Sequence, residues 1–309
     1  MEPNQNLSRR RFLEITGTAV AGLFIIPNAK ADNAEKPLLR FGMLSDIHYA
    51  DREPAGTRFY RQSLVKMNEC IERMNQEKPD FVIELGDFKD QDVIPNEANT
   101  LKYLTDIESA FRKFNGPTYH VLGNHDEDGI SKSQFLERVE NTGIPQTKSY
   151  YSFDVKGIHF VVLDGNYTKD GKEYDHGNFS WDDTMIPEVQ LNWLKDDLKN
   201  SPLPAIVFIH QMIDDSVNVK QAVQNAAEVR QVLEHSGRVI CVFQGHVHEE
   251  RINVINGIHY YSVNAMADGD GSENNAYMIV DVYKDGRLKI DGFRRSTDRE
   301  IITGLEIKD

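Results

Sequence analysis

The chain has 309 residues, with 35 Lys and Arg against 49 Asp and Glu and a formal charge of −14. An acidic excess of this size excludes the basic surface that nucleic-acid polymers require, because their binding is driven by counterion release from phosphates. Hydrophobic residues at 39% and charged ones at 27% exclude a disordered chain, and two cysteines, Cys70 and Cys241, are too few for a disulfide-stapled scaffold.

Residues 1–31 read as an export signal rather than as part of a domain. Arg9-Arg10-Arg11 precedes a short apolar stretch from Ile15 to Pro27, and Ala29-Lys30-Ala31 follows as a small-residue cleavage site. The stretch is too short and too rich in Gly and Thr to span a bilayer, so no stable membrane anchor is expected. Ser8-Arg9-Arg10-Arg11-Phe12-Leu13 resembles the twin-arginine signal, with Glu14 where that pattern usually has Lys. This implies the twin-arginine translocation machinery as a partner and a periplasmic or secreted product. Residues 1–31 hold four basic and two acidic side chains, so the chain without them carries −16.

From Leu38 onward, apolar runs alternate with helical patterns, and residues 32–309 read as one domain. Leu39–Leu44, Phe81–Leu85, Thr118–Leu122, His159–Leu163, Ile206–Ile209 and Val239–Phe243 are expected strands, several apolar enough to be buried on both faces. Between the first two, Phe59, Tyr60, Ser63, Leu64, Met67, Cys70, Ile71 and Met74 recur at three- and four-residue steps, the stripe of an amphipathic helix. Further helices are expected over Glu97–Phe114, Ser131–Glu140, Pro187–Lys199 and Gln221–Glu234. The last stretch turns to β segments, His259–Val263, Tyr277–Tyr283 and Arg287–Phe293, the latter two joined by the turn Lys284-Asp285-Gly286. The pattern predicts an α/β fold of two mixed β-sheets packed face to face with helices outside.

The strand ends carry the chemistry. Asp46-Ile47-His48 follows the first strand, Gly86-Asp87 the second and Gly123-Asn124-His125-Asp126 the third, while later strands end in His210 and in Gly245-His246-Val247-His248. Five of the ten histidines fall at these points. In open α/β sheets ligands bind beyond the carboxyl ends of strands, so residues distant in sequence can converge there. Imidazole, carboxylate and amide donors without thiolate suit divalent Mn, Fe or Zn. Asp46 and His48, and again His246 and His248, stand two apart, which in an extended segment aims both side chains the same way.

In order, D-x-H, G-D, G-N-H-D, a lone His after an apolar strand and G-H-x-H resemble the calcineurin-like metallophosphoesterases from Asp46 to His248. The resemblance implies a four-layer sandwich of two mixed sheets flanked by helices. It also implies two divalent ions, one held by Asp46, His48, Asp87 and His248, the other by Asp87, Asn124, His210 and His246. His125 would act at the leaving oxygen, with Asp126 orienting it, and in-line hydrolysis at phosphorus would follow. A small phosphorylated substrate is then compatible with an acidic chain, because bound cations reverse the local field.

A finer resemblance runs through Ala50-Asp51, Gly56-Thr57-Arg58, Tyr60-Arg61, Gly177-Asn178-Phe179-Ser180 and Gln190-Leu191-Asn192-Trp193-Leu194. These segments look like the manganese-dependent ADP-ribose/CDP-alcohol diphosphatases, although His48 and Asp126 replace the Gln and Glu of animal members. The implied substrates are nucleotide-diphosphate-linked, with phosphodiesters or phosphomonoesters scavenged for phosphate as the alternative and a non-catalytic scaffold as a remote one. Tyr49, Arg58, Arg61, Phe179 and Trp181 are candidate substrate contacts, aromatic faces stacking a base and Arg pairing a second phosphate. Asp90 reads equally as a solvated turn acid and as an auxiliary site residue, and Asp268-Gly269-Asp270-Gly271 as a polar loop.

Overall fold

The computed structural model describes residues 35–214, 219–304 and 307, so the export signal expected over residues 1–31 lies outside the described residues. Lys36–Asp309 forms one unit. In chain order its first half holds β1 (Leu39–Leu44), α1 (Ser63–Glu77), β2 (Phe81–Glu84), α2 (Glu97–Phe111), β3 (Thr118–His120), α3 (Lys132–Leu136), β4 (Tyr151–Val155) and β5 (Ile158–Val162). Then come α4 (Glu188–Asn200), β6 (Ala205–Ile209), α5 (Ala226–Ser236), β7 (Val239–Gln244), β8 (Arg251–Ile255), β9 (Ile258–Ser262), β10 (Ala276–Val282), β11 (Arg287–Arg294) and β12 (Arg299–Ile302).

Two six-stranded mixed sheets result, ordered β12-β11-β10-β1-β2-β3 and β4-β5-β6-β7-β9-β8. β1, β2 and β3 run parallel, as do β5, β6, β7 and β9, while β4 and β8 pair antiparallel at the edges. Parallel neighbours share one carboxyl end, which gathers the loops that follow β1, β2, β3, β6 and β7. The inner faces meet through large aromatics. Phe41 packs edge-on against Phe160, Phe208 and Phe243 at 5.7–6.0 Å between centroids, and each such buried ring removes enough apolar surface from water to stabilise by roughly 1.5–3 kcal/mol.

The outer faces are covered by helices. The stripe Met67, Cys70, Ile71 and Met74 of α1 is buried with Leu104, Ile107 and Phe111 of α2 over the first sheet, and Leu191, Leu194 and Leu198 of α4 join Val229, Val232 and Leu233 of α5 over the second. The result is a four-layer sandwich. Lys78, left-handed at φ 54°, caps α1 by donating its N–H to Met74 O, and the Asn96 side chain starts α2 by accepting Asn99 N–H.

Some boundaries differ from expectation. The helix expected over Ser131–Glu140 closes at Leu136, because Arg138 N–H turns back to Phe135 O and the chain tightens. The helix expected from Gln221 starts at Ala226; the Asn225 side chain instead exchanges two hydrogen bonds with the Ile186 backbone, tying the loop to the segment before α4. Strands β4, β8 and β12 were absent from the expected set.

Candidate metal centre

The chain leaves three of the site-forming strands, β1, β2 and β7, in a sharp left-handed bend. Asp46, His48, Asp87, His246 and His248 all have left-handed backbone, with φ between 46° and 70°. Among the described residues ten non-glycine positions do so, and these five are half of them. This conformation costs side-chain-bearing residues of order 1–3 kcal/mol each and persists where the surroundings over-determine it. It corrects the expectation of extended alternation. The Asp46/His48 and His246/His248 pairs converge through paired left-handed bends, while the backbone stays tied down by His48 N–H to Asp87 O and Ala267 N–H to Asp46 O. Gly123 is required by proximity, since a methyl group there would overlap the Asp87 amide nitrogen and carboxylate.

Two ligand sets meet at Asp87. Asp46, His48 and His248 place ligand atoms within 4.8 Å of one another, as do Asp87, His210 and His246. His48 Nε2 faces His248 Nε2 at 3.2 Å, and Asp87 Oδ2 lies 3.4 Å from His48 Nε2 and 3.2 Å from His210 Nε2. His246 enters through Nδ1, 3.3 Å from His210 Nε2. Asn124 Oδ1 is buried without a hydrogen-bond partner, which for an amide oxygen costs about 1–3 kcal/mol unless something electropositive occupies the space in front of it. Burial holds His48 well below its ordinary range, assisted by Arg58, and lowers His246 to about 3, assisted by His210, so both rings keep free lone pairs. Converging nitrogen and oxygen lone pairs around an orphaned amide oxygen fit two divalent cations, and both cysteines are buried elsewhere in the core.

A second ring of contacts orients the imidazoles. His210 Nδ1 bonds Leu85 O at 2.8 Å and His248 Nδ1 meets Asp268 Oδ1 at 3.2 Å, while His48 Nδ1 lies 3.3 Å from Asp90 Oδ2 as a charge contact without hydrogen-bond geometry. Asp90 and Asp268 therefore serve the site, where the sequence left one ambiguous and read the other as a polar loop. Both come from loops with no ligand spacing, so only their three-dimensional position reveals them.

His125 stands at the mouth, its backbone N–H bonded to Asp87 Oδ1 at 2.8 Å. Its ring is oriented by Asp128, whose Oδ2 is 2.8 Å from Nδ1, with Asp90 Oδ2 at 3.6 Å. Asp128 is braced in turn by the buried Lys89 ammonium at 2.7 Å. Burial opposes a charge on His125, but Asp87, Asp90 and Asp128 outweigh it and raise the group to about 9. Asp126, expected to orient His125, does something else. Its carboxylate points under the neighbouring turn and accepts N–H groups from Asp87, Phe88, Lys89 and Gly123 at 2.8–3.3 Å.

The substrate candidates divide. Arg58 reaches the site, its Nη1 3.4 Å from His125 Nε2 and 3.8 Å from Asp90 Oδ2. Trp181 is 45% exposed with its ring 5.9 Å from that of His246, forming an open aromatic wall. Tyr49 does not line the site: its ring is buried in the core beneath α2, edge-on to Tyr103. Arg61 pairs with Asp51 and Glu53 on the surface, and Phe179 stacks on Tyr174 at 3.7 Å, so both are occupied by structural partners.

Comparison with known proteins adds to this geometry. The model of the calcineurin-like phosphoesterase family matches residues 39–250. A manganese-dependent ADP-ribose/CDP-alcohol diphosphatase of Arabidopsis thaliana is 29% identical across 86% of this chain and 98% of its own, and its Mus musculus counterpart is 24% identical across 89% and 96%. Among solved structures, a dimetal phosphatase from Danio rerio shares the fold with a TM-score of 0.75 at 20% identity, covering 87% of this chain and all of the other.

Proposed function

This chain belongs to the calcineurin-like phosphoesterase family, and we propose that it is an exported hydrolase that cleaves the phosphoanhydride of nucleotide-diphosphate-linked molecules such as ADP-ribose or CDP-alcohols. Asp46, His48, Asp87 and His248 would hold one divalent ion and Asp87, Asn124, His210 and His246 the other. When bound, such a pair supplies Lewis-acid polarisation of a phosphoryl oxygen and acidifies a water. The remaining work falls to the chain's own groups. His125, raised by three carboxylates, presents a proton at Nε2 to the departing oxygen.

The observation that carries the substrate reading is Arg58. Its guanidinium stands 3.4 Å from His125 Nε2, so two cationic groups share one opening. Besides the Asp90 carboxylate 3.8 Å away, a diphosphate would bring Arg58 its second phosphate on the leaving side, beside both cationic groups, which a single phosphoryl group held at the ions would not. Trp181 offers its exposed face to a base or other planar group. The diphosphatase names of the curated relatives point in the same direction. A non-catalytic scaffold is disfavoured by the presence of every ligand position together with His125.

Export is proposed from Ser8-Arg9-Arg10-Arg11-Phe12-Leu13 and the small-residue site at Ala29-Lys30-Ala31. Among the described residues no helix is long and apolar enough to cross a membrane. Substituting Arg9 and Arg10 by Lys should retain the protein in the cytoplasm on fractionation, and unchanged export would remove this part of the reading. For the substrate, Mn²⁺-loaded protein is assayed on ADP-ribose, CDP-choline, bis-p-nitrophenyl phosphate and p-nitrophenyl phosphate. The two diphosphates should give the highest kcat/KM. A higher value for either nitrophenyl ester transfers the assignment to a phosphodiesterase or phosphomonoesterase.

A further inference from the structure

Lys66 lies on the inward stripe of α1, and its side chain is wholly buried. Among the described residues its ammonium has no ion-pair partner and meets backbone carbonyls instead: Gly269 O at 2.8 Å, Met266 O at 2.9 Å, Asp268 O at 3.0 Å and Asn274 O at 3.4 Å. All four belong to the loop that joins β9 to β10. Burying a charge is expensive unless hydrogen bonds replace its hydration, so this loop takes the place of the water that Lys66 gives up. The loop is bent to do so, with Gly269 and Gly271 at φ 80° and 79°.

The same loop touches the metal centre on several sides. Met266 N–H donates to Ser45 O at 2.9 Å and Ala267 N–H to Asp46 O at 3.0 Å, while Phe59 N–H donates to Ala267 O and Gly269 N–H to Thr57 O, each at 2.9 Å. Asp268 Oδ1 accepts Thr57 Oγ1 at 2.9 Å and faces His248 Nδ1 at 3.2 Å. A proton on Nδ1 leaves the His248 Nε2 lone pair free, and that atom lies 3.4 Å from Asp46 Oδ1.

We propose that Lys66 is a positioning residue: its carbonyl-caged ammonium fixes the 266–274 loop so that Asp268 holds the His248 ring with Nε2 turned towards Asp46 and His48. Lys66 thereby sets the affinity of that ligand set and leaves the Asp87, Asn124, His210 and His246 set alone. This rests on the reading of the centre as a two-ion site, which the unsubstituted protein tests separately.

The experiment is a Mn²⁺ titration of the purified full-length chain, followed by calorimetry and by electron paramagnetic resonance of free Mn²⁺. The unsubstituted chain should bind two ions; if it does not, the two-ion reading fails before Lys66 is considered. In Lys66→Met one step should weaken about tenfold, the lower end of the effect of losing outer support for a ligand, while the other stays within about twofold. Both steps unchanged, or both weakened alike, would overturn the proposal, because a merely structural lysine has no means of choosing between the sets. Should Lys66→Met fail to fold, Thr57→Val decides. Thr57 is exposed and its substitution removes only the hydroxyl bond to Asp268. One step should then weaken about threefold, equivalent to part of one ordinary hydrogen bond, and two unshifted steps would overturn the proposal.

Discussion

Replacing Asp126 by Asn separates two roles that look alike in sequence. The Asp126 carboxylate accepts four backbone N–H groups, those of Phe88 and Lys89 at Oδ1 and those of Asp87 and Gly123 at Oδ2. An amide in its place keeps one acceptor oxygen and turns an NH2 group towards the other two donors, whichever way it is placed. Two buried N–H groups lose their partner, each costing about 1–3 kcal/mol, so the substitution should cost about 2–6 kcal/mol. That is a large part of the 5–15 kcal/mol typical of a folded domain. Equilibrium urea denaturation of the metal-free protein reads the loss as a lower midpoint at constant slope. Metal affinity should fall with it, because Asp87 sits on the turn that Asp126 shapes. If Asp126→Asn kept the full midpoint and lost turnover only on substrates with poor leaving groups, Asp126 would after all be the partner of His125 and the hydrogen-bond argument would be wrong.

Three further outcomes follow from the same geometry. His125→Ala should retain both ions and lose about 10²–10⁴ in turnover, most on poor leaving groups; equal losses on p-nitrophenyl and alkyl esters would remove it from the leaving oxygen. Asp87→Ala should lose both ions in elemental analysis, since Oδ2 reaches both His48 and His210, and retention of two would refute the bridge. The last concerns pH. Burial opposes the charge on His120, but Glu108 and Glu84 outweigh it and raise the group from 6.5 to about 10. A raised folded-state value means the stabilisation is complete below pH 6.5 and is lost as pH rises through about 10. The stability advantage over His120→Gln should therefore shrink between pH 6.5 and 10 in denaturation series, and an advantage that grows with pH would contradict the assignment.

The sequence exposed what depends on local pattern. Buried parallel strands such as β6 and β7 are continuous apolar runs, and every proposed ligand stands within a few residues of one of the strand ends. The edges were harder to see. Along Arg251–Ile255 exposed and half-buried residues alternate and none is fully buried, while Arg299–Ile302 buries only Ile301, so neither carries the apolar run by which a central strand announces itself. The supports of the site were hidden for a different reason. Lys89, Asp90, Asp128 and Asp268 act across loops, and a charged residue in a loop reads as solvated until the fold buries it. Arg58 and Arg61 stand three apart in one segment, yet Arg58 turns to His125 while Arg61 is held outside by Asp51 and Glu53. That difference is set by packing and leaves no mark on the sequence. The same is true of the left-handed bends, which occupy Asp and His positions rather than glycine.

The central claim is that residues from five strand ends make one centre for two ions joined through Asp87. Anomalous diffraction from crystals grown with Mn²⁺ tests it directly. Two peaks flanking the Asp87 carboxylate are predicted, one among Asp46, His48 and His248 and one among Asn124, His210 and His246. A single peak, or peaks that leave Asp87 without a metal contact, would contradict it.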